Sequence, residues 1–440
     1  MSNTITQDKK VHIISLGCVK NTVDSEIIAG GLETAGISLI EEPEEADTII
    51  INSCGFIGDA KQESVEVILE AAQLKKQGKL EELLVAGCLS ARYRDELTKE
   101  MPEVDKFFVT EDFKRIFEHI AAKPHLADDP DHRRKLLTPR HYAYLKISEG
   151  CDNVCSFCAI PLMRGKQRSR PIEDLVREAN SLVARGVREM MVIAQDSTTY
   201  GWDLRPKRYL HELLEELDNV EGLDWIRLHY AHPSHFSRKL IPIFQNAKRI
   251  LPYLDIPVQH ASTKMLTDMK RGLDADGLRR LLLQLREEIP ELKLRTSVIV
   301  GFPGETEDDF ETLLSFLEEI QFDRLGCFTY SEEEDTSAAD LVDDVPQDVK
   351  VQRMDQVMDL QHSISFTKNQ EMVGQEIDVI IDAPDPDNEG QMIGRSKWDA
   401  PEIDQVVYVT GSVEQGEIVR VRVDDAGPYE LYASLTDGGE

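Results

Sequence analysis

"GCDNVCSFC", Gly150–Cys158, sets Cys151, Cys155 and Cys158 within eight residues of a 440-residue chain that has seven cysteines. The run "HYAYLKISEG" leads into it, so the three thiols fall on a loop just beyond a strand. Structural zinc wants four ligands in a closed tetrahedron, and no histidine follows within the next few residues. A cubane iron–sulfur cluster normally takes four cysteines. With three, one iron stays open and can bind a substrate or cofactor. Gly150 lets the loop turn tightly enough for the thiolates to converge.

Working outward, five more apolar runs follow: "REMMVIAQDS", "DWIRLHYAHP", "LPYLDIPVQHAS", "LKLRTSVIVGFPGET" and "DRLGCFTYSEE". Helical patterns such as "PIEDLVREANSLVARG" and "DDFETLLSFLEEIQ" separate them. About six βα units predict a partial, open β/α barrel, with the cysteine loop at its carboxyl face, where the reactive groups of such barrels collect. Upstream, "VHIISLGC", "ADTIIINSCGF" and "LEELLVAGC" alternate with helices and predict a Rossmann-like parallel sheet. Residues 121–140, with Pro124, Pro130 and Pro139, read as a linker. "VPQDVKVQRMDQVMDLQHSISFTKNQEMVG" reads as one long helix. The short strands after it predict a small antiparallel β-barrel of the kind that grips macromolecules. The chain is therefore an α/β protein with expected domains at 9–125, 137–365 and 366–440.

Those three upstream runs end at Cys18, Cys54 and Cys88, with 35 and 33 residues between them. That is about one βα unit each, and neighbouring parallel strands bring their carboxyl ends together. A second three-thiol site is expected, with Gly17 and Gly87 allowing close packing. Three buried structural cysteines are the alternative. Cys327, inside an apolar strand, reads as core. Few, scattered cysteines argue against a disulfide framework. The first residues lack a secretory pattern, and no apolar run is long enough for a membrane span, so a cytoplasmic enzyme is expected.

C-x3-C-x2-C with Phe157 before the last cysteine, at the first barrel strand, resembles the radical S-adenosylmethionine (SAM) superfamily. The resemblance implies that the open iron chelates SAM and that one electron cleaves it to a 5′-deoxyadenosyl radical. Two three-cysteine sites, a Rossmann-like first domain and a terminal barrel similar to TRAM modules together resemble the methylthiotransferase family. This implies two 4Fe–4S clusters, two SAM equivalents, an electron donor such as flavodoxin or ferredoxin, and insertion of a methylated sulfur at an unactivated C–H bond. For SAM contacts it points to Gly301 and Gly304 in "SVIVGFPGET", to Gln195 and Asp196 in "IAQDSTTYG", and to Lys270 and Arg271 in "MKRG". A strand-ending turn and a helix cap are the plainer readings of the glycines and of Asp196. His229, His232 and His260 read as hydrogen-bonded structural histidines. "RGKQRSR" (Arg164, Lys166, Arg168, Arg170) reads as a solvated face or a rim for an acidic substrate.

The family divides between a tRNA adenosine and a protein target. Net charge is -32, and residues 366–440 hold 5 Lys and Arg against 17 Asp and Glu. An RNA-gripping barrel should be basic, whereas this one should attract a basic protein. The expectation is an aspartate, modified at its β-carbon, in ribosomal protein number twelve of the small subunit, free or assembled. RNA contact would be weak and membranes uninvolved. A tRNA adenosine is the alternative, and a non-catalytic iron–sulfur carrier the second. Asp385, Asp387, Glu389 and Asp399 are expected to be exposed acids of the terminal barrel.

Overall fold

The computed structural model describes residues 9–128 and 134–436. Part of the expected linker, with Pro130, and the last four residues of the terminal segment lie outside these ranges. The first sheet is parallel, with β1 (Lys10–Ser15), β2 (Ser38–Leu39), β3 (Thr48–Ser53), β4 (Glu82–Gly87) and β5 (Lys106–Phe107) in the order β2-β1-β3-β4-β5. β3 reads TIIINS and is buried along its whole length. Such an unbroken β-branched run is what a strand covered on both faces requires. Because β1, β3 and β4 are direct neighbours, their carboxyl ends share one edge.

The second sheet contains β6 (Tyr142–Lys146), β9 (Glu189–Ile193), β10 (Trp225–Leu228), β11 (Ile250–Asp255), β12 (Lys293–Val300) and β13 (Arg324–Thr329). They pair in parallel and in chain order, and the curved sheet stays open between β6 and β13. The two-residue strands β7 (Ser148–Glu149) and β8 (Arg168–Ser169) form an antiparallel clip around the cysteine loop. One apolar cluster joins Val23, Ile27 and Phe117 of the first unit to Tyr142, Tyr144, Met191 and Ile193 of the second. The two sheets thus share a core that fixes one site against the other. The long helix spans Gln347–Gln370.

The last strands, β14 (Glu376–Pro384), β15 (Gln391–Ser396), β16 (Val406–Thr410), β17 (Ile418–Ala426) and β18 (Glu430–Leu435), close into a barrel in the order β14-β15-β16-β18-β17. Four of its pairings are antiparallel, but β16 and β18 run parallel. The chain passes over to β17 and returns beside β16, so the two strands point the same way. This barrel plugs the amino ends of the second sheet. Ile380 and Ala400 pack on Trp225, Leu251 and Tyr253. Around them Arg395 pairs with Glu189 at 2.7 Å, Arg324 with Asp399 at 2.6 Å and His141 with Asp382 at 2.8 Å. Asp399 is 0 % exposed, which corrects its reading as a surface acid. It is the counter-ion that lets Arg324 be buried. No helix of the described residues is long and apolar enough to cross a membrane.

Candidate metal centres

The first three cysteines stand at the carboxyl ends of β1, β3 and β4. Cys18 is at the N-cap of helix α1 (Val19–Ala35), Cys54 follows β3, and Cys88 opens the helix Cys88–Glu100. Gly17 adopts φ +81°, and a Cβ there would lie 2.6 Å from the Cys54 sulfur. Only glycine lets the β1 turn pass so close to a thiol. Gly87, at φ +96°, would put a Cβ 2.4 Å from the Ser53 carbonyl. Asn21 fastens this edge, donating to the carbonyls of Leu16 (2.8 Å) and Ser53 (3.1 Å), while the Cys88 thiol points at its Oδ1 at 3.7 Å.

The second sheet contributes Arg164, at the end of the short helix Ile160–Arg164 beyond the cysteine loop. It is buried, its Nη1 donates to both oxygens of Glu149 at 2.8 and 2.9 Å, and its Nη2 bonds Asn21 and Asp24 of the first unit. Lys146 completes the network with Asp24, Glu111 and Glu149. The sequence reading of "RGKQRSR" as one surface therefore divides. Arg164 is interior, Arg168 remains 67 % exposed beside Glu111, and Arg170 pairs with Glu178 at 2.6 Å. Burial pushes Cys88 up to about 12. At Cys18 burial pushes upward too, but the charges of Lys20 and Arg164 and two backbone N–H groups outweigh it and lower the thiol below its usual value.

The loop of Cys151, Cys155 and Cys158 lies beyond β7. Burial raises Cys151 to about 11 and Cys158 to about 12. Arg271 reaches the Cys155 sulfur at 3.3 Å and donates to the Pro257 carbonyl at 2.7 Å, while its Nε has no partner. Asp196, after β9, accepts from Asn153 Nδ2 (2.8 Å), Thr198 N (2.9 Å) and His235 Nδ1 (2.8 Å). It is thus both a cap and a neighbour of the cysteine loop. Gln195 donates to Glu149 at 3.1 Å and leaves its Oε1 unpartnered. Gly301, at φ +73°, ends β12, donates to Glu305 and lies against the Lys350 stem. Gly304, at φ +77°, donates to Asp344. Lys270 is exposed and bonds Ser337.

The histidines differ among themselves. His260 accepts from two backbone N–H groups and is structural. His232 bonds Ser234, and burial with the nearby Arg271 charge lowers it to about 3. Burial holds His229 well below its usual value, with Nε2 unpartnered. Cys327 packs against the barrel core, and burial raises it to about 12.

Neither cysteine triad fits a single zinc ion. Zinc–sulfur bonds of about 2.3 Å would put the sulfurs roughly 3.8 Å apart. Among the described residues, the groups of three ligand-type side chains lying within 4.8 Å of one another are Asp196–His232–His235 and Asp24–Glu111–Glu149, and no three cysteines are among them.

Comparison with known proteins agrees with this arrangement. Residues 10–109 match the uncharacterized protein family UPF0004, 145–317 the radical SAM superfamily and 373–435 the TRAM domain. The ribosomal protein uS12 methylthiotransferase RimO of Myxococcus xanthus is 47 % identical over 98 % of this chain and 93 % of its own. The chain belongs to that family. The protein of the same name from an Anaeromyxobacter species is 48 % identical over 96 % of this chain and 92 % of its own. Among solved structures, the radical SAM methyltransferase TsrM of Kitasatospora setae overlaps 73 % of each chain with a TM-score of 0.55 at 14 % identity, which is a likeness of fold. Sequence reasoning missed several groups of the site, among them the network residues Asp24, Glu111, Lys146 and Glu149, and Asn153, Lys20 and Asn21. Lys20 lies in the first turn of a helix, where a lysine reads as solvated. Asn21 carries no chemistry of its own that a sequence signals.

Proposed function

We propose that this enzyme methylthiolates the β-carbon of an aspartate in ribosomal protein uS12. The observation that carries the reading is the pair of three-cysteine sites at the carboxyl ends of two sheets with a common core, in a chain similar over nearly its full length to proteins of that name. Cys18, Cys54 and Cys88 would hold one 4Fe–4S cluster, and Cys151, Cys155 and Cys158 the other. Gln195, Asp196, Arg271, Gly301 and Gly304 would line the SAM site, within a central unit at 137–365 flanked by units at 9–125 and 366–440. When bound, these groups supply the sulfur, the methyl group and the radical that opens a C–H bond no side-chain base can deprotonate.

The chain's own residues position and enclose. The Arg164–Glu149–Asp24–Lys146 network ties the first cysteine edge to the barrel loop, so the two sites keep a fixed separation. The Asp196–Asn153 bond holds the barrel loop from the other side. Arg271 presents a cation and an unpartnered N–H beside Cys155, suited to a carboxylate such as that of SAM. A reductant of the flavodoxin or ferredoxin class would supply electrons, and a cytoplasmic setting suits the substrate.

The test compares two triple cysteine-to-alanine variants with wild type, all reconstituted without oxygen, on uS12 and on tRNA. Replacing Cys151, Cys155 and Cys158 should halve the iron content and abolish SAM cleavage. Replacing Cys18, Cys54 and Cys88 should also halve the iron, spare SAM cleavage and stop methylthio transfer. Mass spectrometry that finds the added group on tRNA and not on the protein rejects the proposal.

A further inference from the structure

We propose that Lys20 is the group that recognises the substrate carboxylate and so selects an acidic side chain; this rests on the reading of the target as an aspartate. Lys20 is 7 % exposed, and its Nζ lies 3.2 Å from the centre of the Tyr230 ring. The other buried lysines at this junction are paired, Lys146 with three carboxylates. Among the described residues none pairs with Lys20. An interior ammonium without a counter-ion is costly unless something arrives to meet it.

Its place suits an arriving carboxylate. Lys20 follows Cys18 by two residues, in the first turn of the helix that starts from that edge of the first sheet. Tyr230, beneath it, holds φ +60°, a conformation a bulky side chain seldom adopts. Its backbone is tied on both sides, donating to Asp255 at 3.0 Å and accepting from Ser197 N at 3.0 Å. Ser197 adjoins Asp196, which bonds Asn153 of the barrel cysteine loop. Lys20 therefore lies where the two cysteine sites face each other. A carboxylate on its Nζ puts the adjoining β-carbon in that space and leaves a neutral amide or an adenine edge without an equivalent partner.

The experiment measures binding of uS12 carrying either the native aspartate or asparagine at the modified position, to reconstituted wild type, Lys20→Met and Lys20→Arg. Wild type should bind the aspartate form roughly 10- to 100-fold more tightly, as expected for a charge-assisted bond in a buried site. Lys20→Met should bring that ratio near one, and Lys20→Arg should keep most of it. A purely structural Lys20, stapling the first unit to Tyr230, would weaken both forms together and leave the ratio intact. That result overturns the inference, as does a wild type that modifies the aspartate yet binds both forms equally. If Lys20→Met does not fold, the wild-type and Lys20→Arg ratios decide alone, since equal binding in both overturns it. A wild type that modifies tRNA and not the protein overturns the functional reading itself, and this inference with it.

Discussion

The two ends of the second sheet handle buried charge differently. At the amino ends of its strands, cations and acids pair across the contact with the terminal barrel: Arg395 of the barrel with Glu189 of β9, Arg324 with Asp399, and Arg295 with Asp404. At the carboxyl ends Lys146 and Arg164 are paired with Asp24, Glu111 and Glu149, but Lys20 has no acid, Arg271 Nε and Gln195 Oε1 have no partner, and the loop of Cys151, Cys155 and Cys158 lies beside them. A buried pair left complete stabilises little beyond its own desolvation, whereas a pair broken is strongly destabilising. Compensated charge marks the end that fixes the architecture, and uncompensated polarity marks the end that awaits ligands.

The largest test of this contrast removes the plug. Deleting residues 373–440 would strand Arg324 and take Arg395 from Glu189 and Asp404 from Arg295, which keep Arg227 and Asp255, and breaking a buried pair costs about 3–5 kcal/mol. Two or three such losses approach the roughly 5–15 kcal/mol that holds an ordinary domain folded. The truncated chain should therefore be insoluble or lack a cooperative thermal transition. A soluble truncation with an unchanged melting temperature would show that the amino-end pairs do not govern folding.

What the sequence makes legible here is what is local to it. The six barrel strands, the parallel first sheet and all six strand-end cysteines follow from apolar runs whose length and spacing are local properties. That Cys18, Cys54 and Cys88 stand at one sheet edge was legible because topology alone brings the ends of β1, β3 and β4 together. Asp399 was misread because its partner, Arg324, is 75 residues away, and nothing local separates a counter-ion from a surface acid. Arg164 was hidden in the same way: it shares a basic run with Arg168, yet one is interior and the other solvated. Lys20 could be found only once Tyr230, from another domain, was seen beneath it.

A smaller effect separates the two ends by pH. Asp323, just before β13, is buried among Lys293, Lys368 and Arg286 and accepts from Leu294 N. Burial alone would raise it, but the three cations outweigh that and lower it to about 2 from 3.8. Such a depressed carboxyl stabilises the fold fully above the unfolded value, and its contribution fades as pH falls from about 4 to about 2. The shift corresponds to about 2 kcal/mol. Asp323→Asn should lose about that much at neutral pH, measured by denaturant unfolding. The gap from wild type should narrow steadily below pH 4. A gap that does not change with pH would mean that packing, not charge, is what the substitution disturbs.

The smallest effect concerns the acids that remain outside. Asp387 and Glu389 are exposed and Asp385 half-buried on the β14–β15 turn, and with Glu402, Glu414, Glu417, Asp424 and Asp425 they are among the terminal acids able to act at a distance. Reversing all three to lysine changes a local field that salt screens over roughly 8 Å at physiological ionic strength. Substitutions on such a surface usually alter stability by about 0.5 kcal/mol or less, so the melting temperature should barely move. Any effect should appear in encounter, since a basic ribosomal protein is steered by negative potential and a tRNA is repelled by it. The expected outcome is a slower initial rate of methylthio incorporation into uS12, by about twofold to threefold at low salt, and no difference at high salt. Because the turn hangs on the barrel that plugs the amino ends, the effect stays small even if the steering is real. A rate unchanged at every ionic strength would confine the role of the terminal barrel to the buried pairs at that end. The same loss at low and high salt would mean that the turn touches the substrate directly.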